Sequence, residues 1–192
     1  EVTLAFMKAQ NREKDWIQLK ADEDAQYDKM IEINLDQLEP MIALPHSPDN
    51  IKTVKEVAGK KIHQVLIGSC TNGSFRDLMV AAHMLKDKRI KNDVSFGIAP
   101  GSRQVLEMVS NNNALATLVQ SGARILESTC GFCIGSGQAP NSGGISIRTN
   151  NRNFKGRSGT EDAGIYLVSP ETAVACALTG EITDPRSLNL SP

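Results

Sequence analysis

The sequence predicts an α/β fold in which helices flank both faces of a parallel sheet. Short apolar runs, typical of strands buried on both faces, recur along the chain, the first of them at residues 64–68. Amphipathic helical patterns follow these runs after short links, and strands that alternate with helices in this way form parallel sheets. The chain has 192 residues, which suffice for one well-buried domain with an appendage.

The elements become regular from residue 62 onward. The strand at 64–68 is followed by a helix for which Ser74 is the predicted N-cap and Asp77 occupies the capping-box position. The apolar residues of this helix recur at spacings of three and four, at Phe75, Leu78, Met79, Ala82 and Leu85. A second strand is predicted at 94–99, and helical segments are predicted to begin near residues 105 and 115.

The last elements follow the same alternation. A third strand is predicted at 124–126 and a fourth at 164–168. Ser169 and Pro170 then suit the cap and first position of an apolar helix that ends near Gly180. Ligands of open parallel sheets collect beyond the carboxyl ends of the strands, so the segments after these strands are the candidate site.

Residues 1–27 differ from the rest in being charged and amphipathic. We expect them to form a helical lead-in and linker from a preceding domain, because the chain begins without methionine in a helical pattern. Residues 28–187 are expected to form the main domain and 188–192 a short tail. The sequence therefore predicts a piece of a longer protein.

Composition excludes several classes of partner and compartment. A formal net charge of −1 gives no electrostatic reason to expect binding to nucleic acid. No apolar run approaches the roughly 18 residues of a membrane span, so no membrane partner is expected. Four cysteines in a chain of this length do not resemble a secreted disulfide framework, so the predicted location is the reducing cytoplasm.

Three cysteines are the candidate metal ligands. Cys70 lies in a polar turn after the first strand, and Cys130 and Cys133 form a C-x-x-C after the third. Their thiolates are one short of a closed zinc site and one short of the four that hold most iron–sulfur clusters. A redox pair and purely structural cysteines stay open as alternatives. Cys176 lies in an apolar helical run, so core packing is expected for it instead.

A donor-rich segment at residues 148–157 is the second candidate. It contains three arginines and three asparagines, and arginine binds carboxylates through a planar fork. Charge pattern alone allows a solvated basic turn equally well. Because the segment follows the cysteine loop closely in sequence, we favour a clamp for an anionic substrate beside a metal.

Three segments together resemble the signatures of the aconitase family. They are I-G-S-C-T-N-G-S at 67–74, C-G-F-C-I-G at 130–135 and N-R-N-F-K-G-R at 151–157. The likeness extends from about residue 27 to 187 and is confined to the family's third domain. It implies an α/β domain and a [4Fe-4S] cluster held by Cys70, Cys130 and Cys133.

The resemblance also implies roles for the donor-rich segment. Arg152 and Arg157 match substrate-carboxylate arginines, and Asn151 matches an asparagine next to the cluster. The implied reaction is the isomerisation of citrate to isocitrate through cis-aconitate, with these tricarboxylates as ligands and one open iron as Lewis acid. The catalytic base is expected in the remaining domains of the full-length enzyme. The isolated domain is therefore expected to be inactive, with no catalytic residue of its own.

Two branches of the family compete for the substrate. Residues 135–140 and 157–160 look nearer to bacterial aconitase-like proteins, and Lys155 replaces the glutamate common in the 3-isopropylmalate enzymes. The 3-isopropylmalate and homoaconitate dehydratases nevertheless share the cysteines and the N-R-N-F-x-G-R segment. Phe132 replaces the more usual proline between the cysteines. A non-enzymatic metal-binding module and an RNA-binding regulator are the remaining alternatives, and the near-neutral charge gives the regulator little support.

Overall fold

The fold is α/β and is built around one sheet. The structure is a computed structural model that describes residues 1–188. The strands are β1 (Met41–Ala43), β2 (Ile51–Thr53), β3 (Gln64–Gly68), β4 (Ser95–Ala99), β5 (Arg124–Ile125), β6 (Ile145–Arg148) and β7 (Gly164–Leu167). The helices are α1 (Val2–Ala9), α2 (Ser69–Asn72), α3 (Phe75–Leu85), α4 (Arg103–Asn111), α5 (Ala114–Ser121) and α6 (Pro170–Thr179). Short 3₁₀ helices lie at Glu13–Asp15, Leu35–Gln37, Val54–Val57, Phe132–Ile134 and Pro185–Leu188.

All seven strands belong to one sheet in the order β2-β1-β7-β6-β3-β4-β5. The five strands from β7 to β5 pair in parallel, whereas β1 pairs antiparallel with both β2 and β7. The parallel α/β prediction is thus confirmed. Strand β6 was not predicted, and it occupies a central position between β7 and β3.

The two faces of the sheet are covered differently. Val65 and Ile67 of β3 pack in the main core, to which α3, α5 and α6 contribute most of the helical side chains. Leu66 points to the opposite face because successive strand residues alternate. There it packs with Phe132 and Cys133 in a second, smaller cluster. On this face, the loop that contains Cys130 and Cys133, with its 3₁₀ turn, therefore packs against β3.

Local sequence explains where two of the helices begin. Ser74 caps α3, since its hydroxyl accepts from the Asp77 amide at 3.2 Å while the Asp77 carboxylate accepts from the Ser74 amide at 3.0 Å. The Ser169 hydroxyl caps α6 by accepting from the Thr172 amide at 3.3 Å, and Gly180 ends that helix in the left-handed conformation. Both helix starts are as predicted.

The chain divides into two compact units, Glu1–Gln37 and the residues from Leu38 onward. The first unit contains α1 and two of the 3₁₀ helices, and many of its large apolar side chains, such as Phe6 and Leu19, are exposed. The domain limits at 27/28 and 187/188 stay predictions. Of the predicted tail at 188–192, only Leu188 lies within the described residues.

Candidate functional site

The candidate site lies where the connections of the sheet change direction. From β3 the chain proceeds outward through β4 to β5, and then returns to place β6 on the other side of β3. The carboxyl ends of β3 and β6 therefore flank a topological switch point, which is the usual ligand position in open α/β sheets. Cys70 follows β3 directly, and the donor-rich segment follows β6 directly.

Two hydrogen bonds join these loops at their roots. The Thr149 amide donates to the Leu66 carbonyl at 3.1 Å, and the Thr149 hydroxyl accepts from the Gly68 amide at 3.0 Å. Thr149 is buried. The loop with Cys70 and the loop with Arg152 therefore leave the sheet side by side.

The Cys70 loop turns tightly against the end of β4. Gly68 has φ +124°, and a Cβ at this position would overlap the Ala99 carbonyl oxygen, so only glycine fits. The Gly101 amide then donates to the Gly73 carbonyl at 2.8 Å. This packing leaves Cys70 exposed on the one-turn helix α2 at the sheet edge.

The second cysteine loop has its own internal hydrogen bonds. The Gly131 amide donates to the Thr129 hydroxyl at 3.2 Å, and the Ser136 amide donates to the Gly131 carbonyl at 2.9 Å. Cys130 at the start of this loop is exposed, whereas Cys133 is 8% exposed and packs in the small cluster with Leu66. A cavity of about 360 Å³, whose lining includes Thr129 and Phe132, adjoins the loop.

A buried arginine fastens this loop to the sheet. Arg148 of β6 is fully buried, and its Nη1 donates to the Phe132 carbonyl at 2.5 Å. Its Nη2 donates to the Gln138 carbonyl at 3.3 Å and to Gln64 Oε1 at 3.0 Å, and its Nε donates to Ser146 Oγ at 2.9 Å. Burial lowers the pKa of Arg148 to about 10, while the charge of a Cys133 thiolate acts to raise it. The guanidinium is therefore still protonated at neutral pH.

The loop after β6 that contains Arg152 and Arg157, here called the arginine loop, is anchored by one asparagine. Asn153 is fully buried, and its Nδ2 donates to the Leu44 carbonyl at 2.8 Å and to the Ile165 carbonyl at 3.2 Å. Asn151 and Arg152 are exposed just before this anchor, and Arg157 is half-buried after it. The anchor thus fixes the backbone while the charged groups face outward.

The arginine loop also touches the second cysteine loop. Gly135 has φ +82°, and a Cβ there would overlap the Ser158 carbonyl oxygen and come within 2.8 Å of the Gly159 Cα. The hydroxyl of Ser158 is buried without a hydrogen-bond partner, as is that of Ser69 beside Cys70. Buried hydroxyls are normally paired, so each of the two loops contains a polar group without a partner among the described residues.

The three thiols do not form a ligand set for a single ion. Among residues 1–188, no three histidine, cysteine or carboxylate side chains converge on one metal position. A single zinc ion holds its thiolates at about 2.3 Å, whereas the larger body of an iron–sulfur cluster keeps its cysteine ligands further apart. By residue type alone, three thiols on two loops match the thiolates that hold iron–sulfur clusters.

Comparison with known proteins identifies the family of the chain. The model of the family described as Aconitase family (aconitate hydratase) matches residues 2–180. The chain belongs to the aconitase family. The resemblance predicted from the three signature segments is therefore confirmed.

Several aconitase-family relatives carry one name, 3-isopropylmalate dehydratase large subunit. Large subunit 2 of Archaeoglobus fulgidus is 42% identical over 187 residues, which cover 97% of this chain and 45% of the relative. Large subunit 1 of Thermotoga maritima is 43% identical over 189 residues, covering 97% and 45%. The protein from Clostridium botulinum (strain Eklund 17B / Type B) is 40% identical over 185 residues, covering 96% and 44%. The chain thus spans less than half the length of these relatives.

Two features of the site escaped sequence reasoning. Arg148 was grouped with the donor-rich segment, but it lies in β6, and its guanidinium donates to the Phe132 carbonyl of the cysteine loop. The alternation Ile145-Ser146-Ile147-Arg148 is a strand pattern and was the signal that could have separated it. The contact between Gly135 and Ser158 had no such signal, because it joins two loops.

No helix within the described part of the chain has the length and apolarity to cross a membrane.

Proposed function

We propose that this chain is the cluster-binding part of an aconitase-family hydro-lyase that dehydrates 3-isopropylmalate or a closely similar hydroxy acid. The observation that carries the proposal is the meeting of the Cys70 loop and the arginine loop at the switch point of the sheet. The names of the relatives at 40–43% identity support the substrate.

The proposed cluster ligands are Cys70, Cys130 and Cys133. When bound, a [4Fe-4S] cluster with three protein thiolates supplies one open iron, which acts as a Lewis acid toward the hydroxyl and carboxylate of the substrate. All four cysteines of the chain are free thiols, which supports ligation and a reducing, cytoplasmic location. Cys176 is not included, because it is buried in α6 and burial raises its pKa to about 11.

The proposed role of the arginine loop is to hold the substrate. Arg152 is exposed and Arg157 half-buried, so both can meet the carboxylates of a small acid. Asn153 keeps the backbone between them rigid through its two hydrogen bonds. Asn151 is the proposed neighbour of the cluster. A fixed loop limits the entropy lost when the arginines orient a carboxylate.

The catalytic base and the other substrate contacts are proposed to lie in the parts of the relatives that this chain does not span. The name "large subunit" further suggests a small subunit as partner. We therefore expect the 192-residue chain to bind cluster and ligand without turning the substrate over.

Aconitate hydratase is the second candidate. The description of the matching family favours it, as do Lys155 and the segment 135–140. Its substrates are tricarboxylates, whereas 3-isopropylmalate carries an apolar branch in place of one carboxylate. The two candidates differ at a part of the substrate that contacts outside this chain would select, so ligand binding has to distinguish them.

Anaerobic reconstitution with iron and sulfide tests the proposal. We expect about four iron atoms per chain and, after one-electron reduction of the cluster with dithionite to its paramagnetic 1+ state, a cluster signal in electron paramagnetic resonance. Cys70→Ser should lose the signal, and the matched control Cys176→Ser should keep it. Stoichiometric zinc without iron would support a structural metal-binding module and refute the enzyme proposal.

The same reconstituted sample tests which of the two substrates the chain binds more tightly. Addition of 3-isopropylmalate should change the signal at lower concentration than citrate does, and Arg152→Lys should weaken that response. A stronger response to citrate would favour aconitate hydratase.

A further inference from the structure

Arg148 carries a buried positive charge that no acidic side chain within residues 1–188 neutralises. All of its hydrogen bonds go to neutral acceptors: the carbonyls of Phe132 and Gln138, and the side chains of Gln64 and Ser146. Among residues 1–188, no carboxylate forms an ion pair with it. A buried charge is costly unless it is paired, so an anion has to be close by when the protein functions.

The position of Arg148 identifies where that anion lies. Its Nη1 reaches the carbonyl of Phe132, the residue that directly precedes Cys133 in the C-x-x-C. Its guanidinium carbon lies 5.8 Å from the centre of the Phe132 ring. Cys133, the next residue along the chain, is one of the three proposed cluster ligands. The negative charge of the cysteine loop is therefore the natural partner of the guanidinium.

The same hydrogen bonds span the cysteine loop from one end to the other. Phe132 and Gln138 lie six residues apart, and one guanidinium binds both of their carbonyls. Gln64 of β3 and Ser146 of β6 complete the set, so the loop is tied to both strands at the switch point. No other side chain in the described part of the chain binds both carbonyls.

We propose that Arg148 is the positioning residue of the cysteine loop and the built-in counter-charge for the anionic group that the loop holds. The positioning role concerns the protein by itself. The counter-charge role rests on the proposed function, because its anion is the thiolate-ligated cluster. The potential of a cluster depends on net charge and hydrogen bonding around it, so loss of a buried cation should make its reduction less favourable.

The positioning role is tested on the metal-free chain by hydrogen exchange of the amides at 131–138. Arg148→Gln should accelerate exchange there at least tenfold, and Arg148→Lys should do the same, since an ammonium lacks the fork that binds two carbonyls. Unchanged exchange in both variants would overturn this role. The control Arg89→Gln removes an exposed arginine after α3 and should leave these amides unchanged.

The counter-charge role is tested on the reconstituted chain by a redox titration of the cluster. Arg148→Gln should lower the midpoint potential by at least 59 mV, which is a tenfold change in a one-electron equilibrium. Arg148→Lys keeps the charge and should stay near the wild-type value. Ser146→Asp places a carboxylate beside an intact Arg148 and should also lower the potential, which keeps the test valid if Arg148→Gln does not fold. Equal potentials in wild type, Arg148→Gln and Ser146→Asp would overturn this role.

The two failures can be told apart. If the wild-type chain binds no cluster under reconstitution, the proposed function fails, while the exchange experiment still decides the positioning role. If the cluster forms with the expected signal and the potentials do not respond, the counter-charge role alone is wrong.

Discussion

Replacement of Gly135 by alanine tests whether the second cysteine loop and the arginine loop have to touch. Gly135 and Gly137 lie in the same loop, and both have positive φ, +82° and +66°. They differ in the space around them. A Cβ at Gly135 would overlap the Ser158 carbonyl oxygen and lie 2.6 Å from the Ser158 carbonyl carbon, whereas a Cβ at Gly137 meets nothing within 4 Å. Gly137→Ala is therefore the matched control for backbone strain.

The expected magnitudes follow from these contacts. Both variants force an L-residue into the left-handed region at about 1–2 kcal/mol, partly offset by about 0.4–1 kcal/mol from a less flexible unfolded chain. Gly137→Ala should therefore lower the free energy of unfolding by about 1 kcal/mol. Gly135→Ala also overpacks two rigid backbone segments, which adds about 1–3 kcal/mol. Gly135→Ala should therefore lower the free energy of unfolding by about 2–4 kcal/mol in total.

Urea denaturation of the metal-free chain measures both values, and reconstitution then measures iron retained per chain. Gly135→Ala should bind less iron than wild type, because relief of the overlap moves the cysteine loop away from the arginine loop. Gly137→Ala should bind the wild-type amount. Equal unfolding free energies for the two variants would refute the contact.

Three further variants test separate parts of the fold. Asn153→Ala removes two hydrogen bonds to buried carbonyls and should destabilise the chain by about 2–4 kcal/mol in urea denaturation, leaving the cysteine loop's amide exchange unchanged. Cys176→Ala should keep full iron binding, and loss of iron would make Cys176 a ligand. The free energy of unfolding should fall by about 1–3 kcal/mol, because the Thr183 amide loses the Cys176 Sγ acceptor at 3.4 Å. Hydrogen bonds from Arg186 hold the pKa of Asp184 below its usual value, so this carboxylate stabilises the fold above about pH 4 and the contribution fades as pH falls through the lowered value. Asp184→Asn should therefore be less stable than wild type at pH 7, with the difference shrinking in acid.

The starts of two helices could be predicted from the sequence because helix caps are local. Ser74 and Asp77 form their capping box within four residues, and Ser169 caps α6 through a residue three positions on. By residue type, the thiols predict a metal and the N-R-N-F-K-G-R segment predicts an anionic ligand. Membership of the aconitase family, which those segments predicted, was confirmed by the family match over residues 2–180.

Which loops become neighbours was decided only by the tertiary structure. Strand β6 inserts beside β3, and its register sets Leu66 opposite Arg148. That pairing joins residues some eighty positions apart, so no window of sequence contains it. It makes Arg148 a buried support of the cysteine loop instead of a member of the outward-facing clamp. The same insertion brings the Cys70 loop and the arginine loop to one edge, because parallel strands end together at the same side of a sheet.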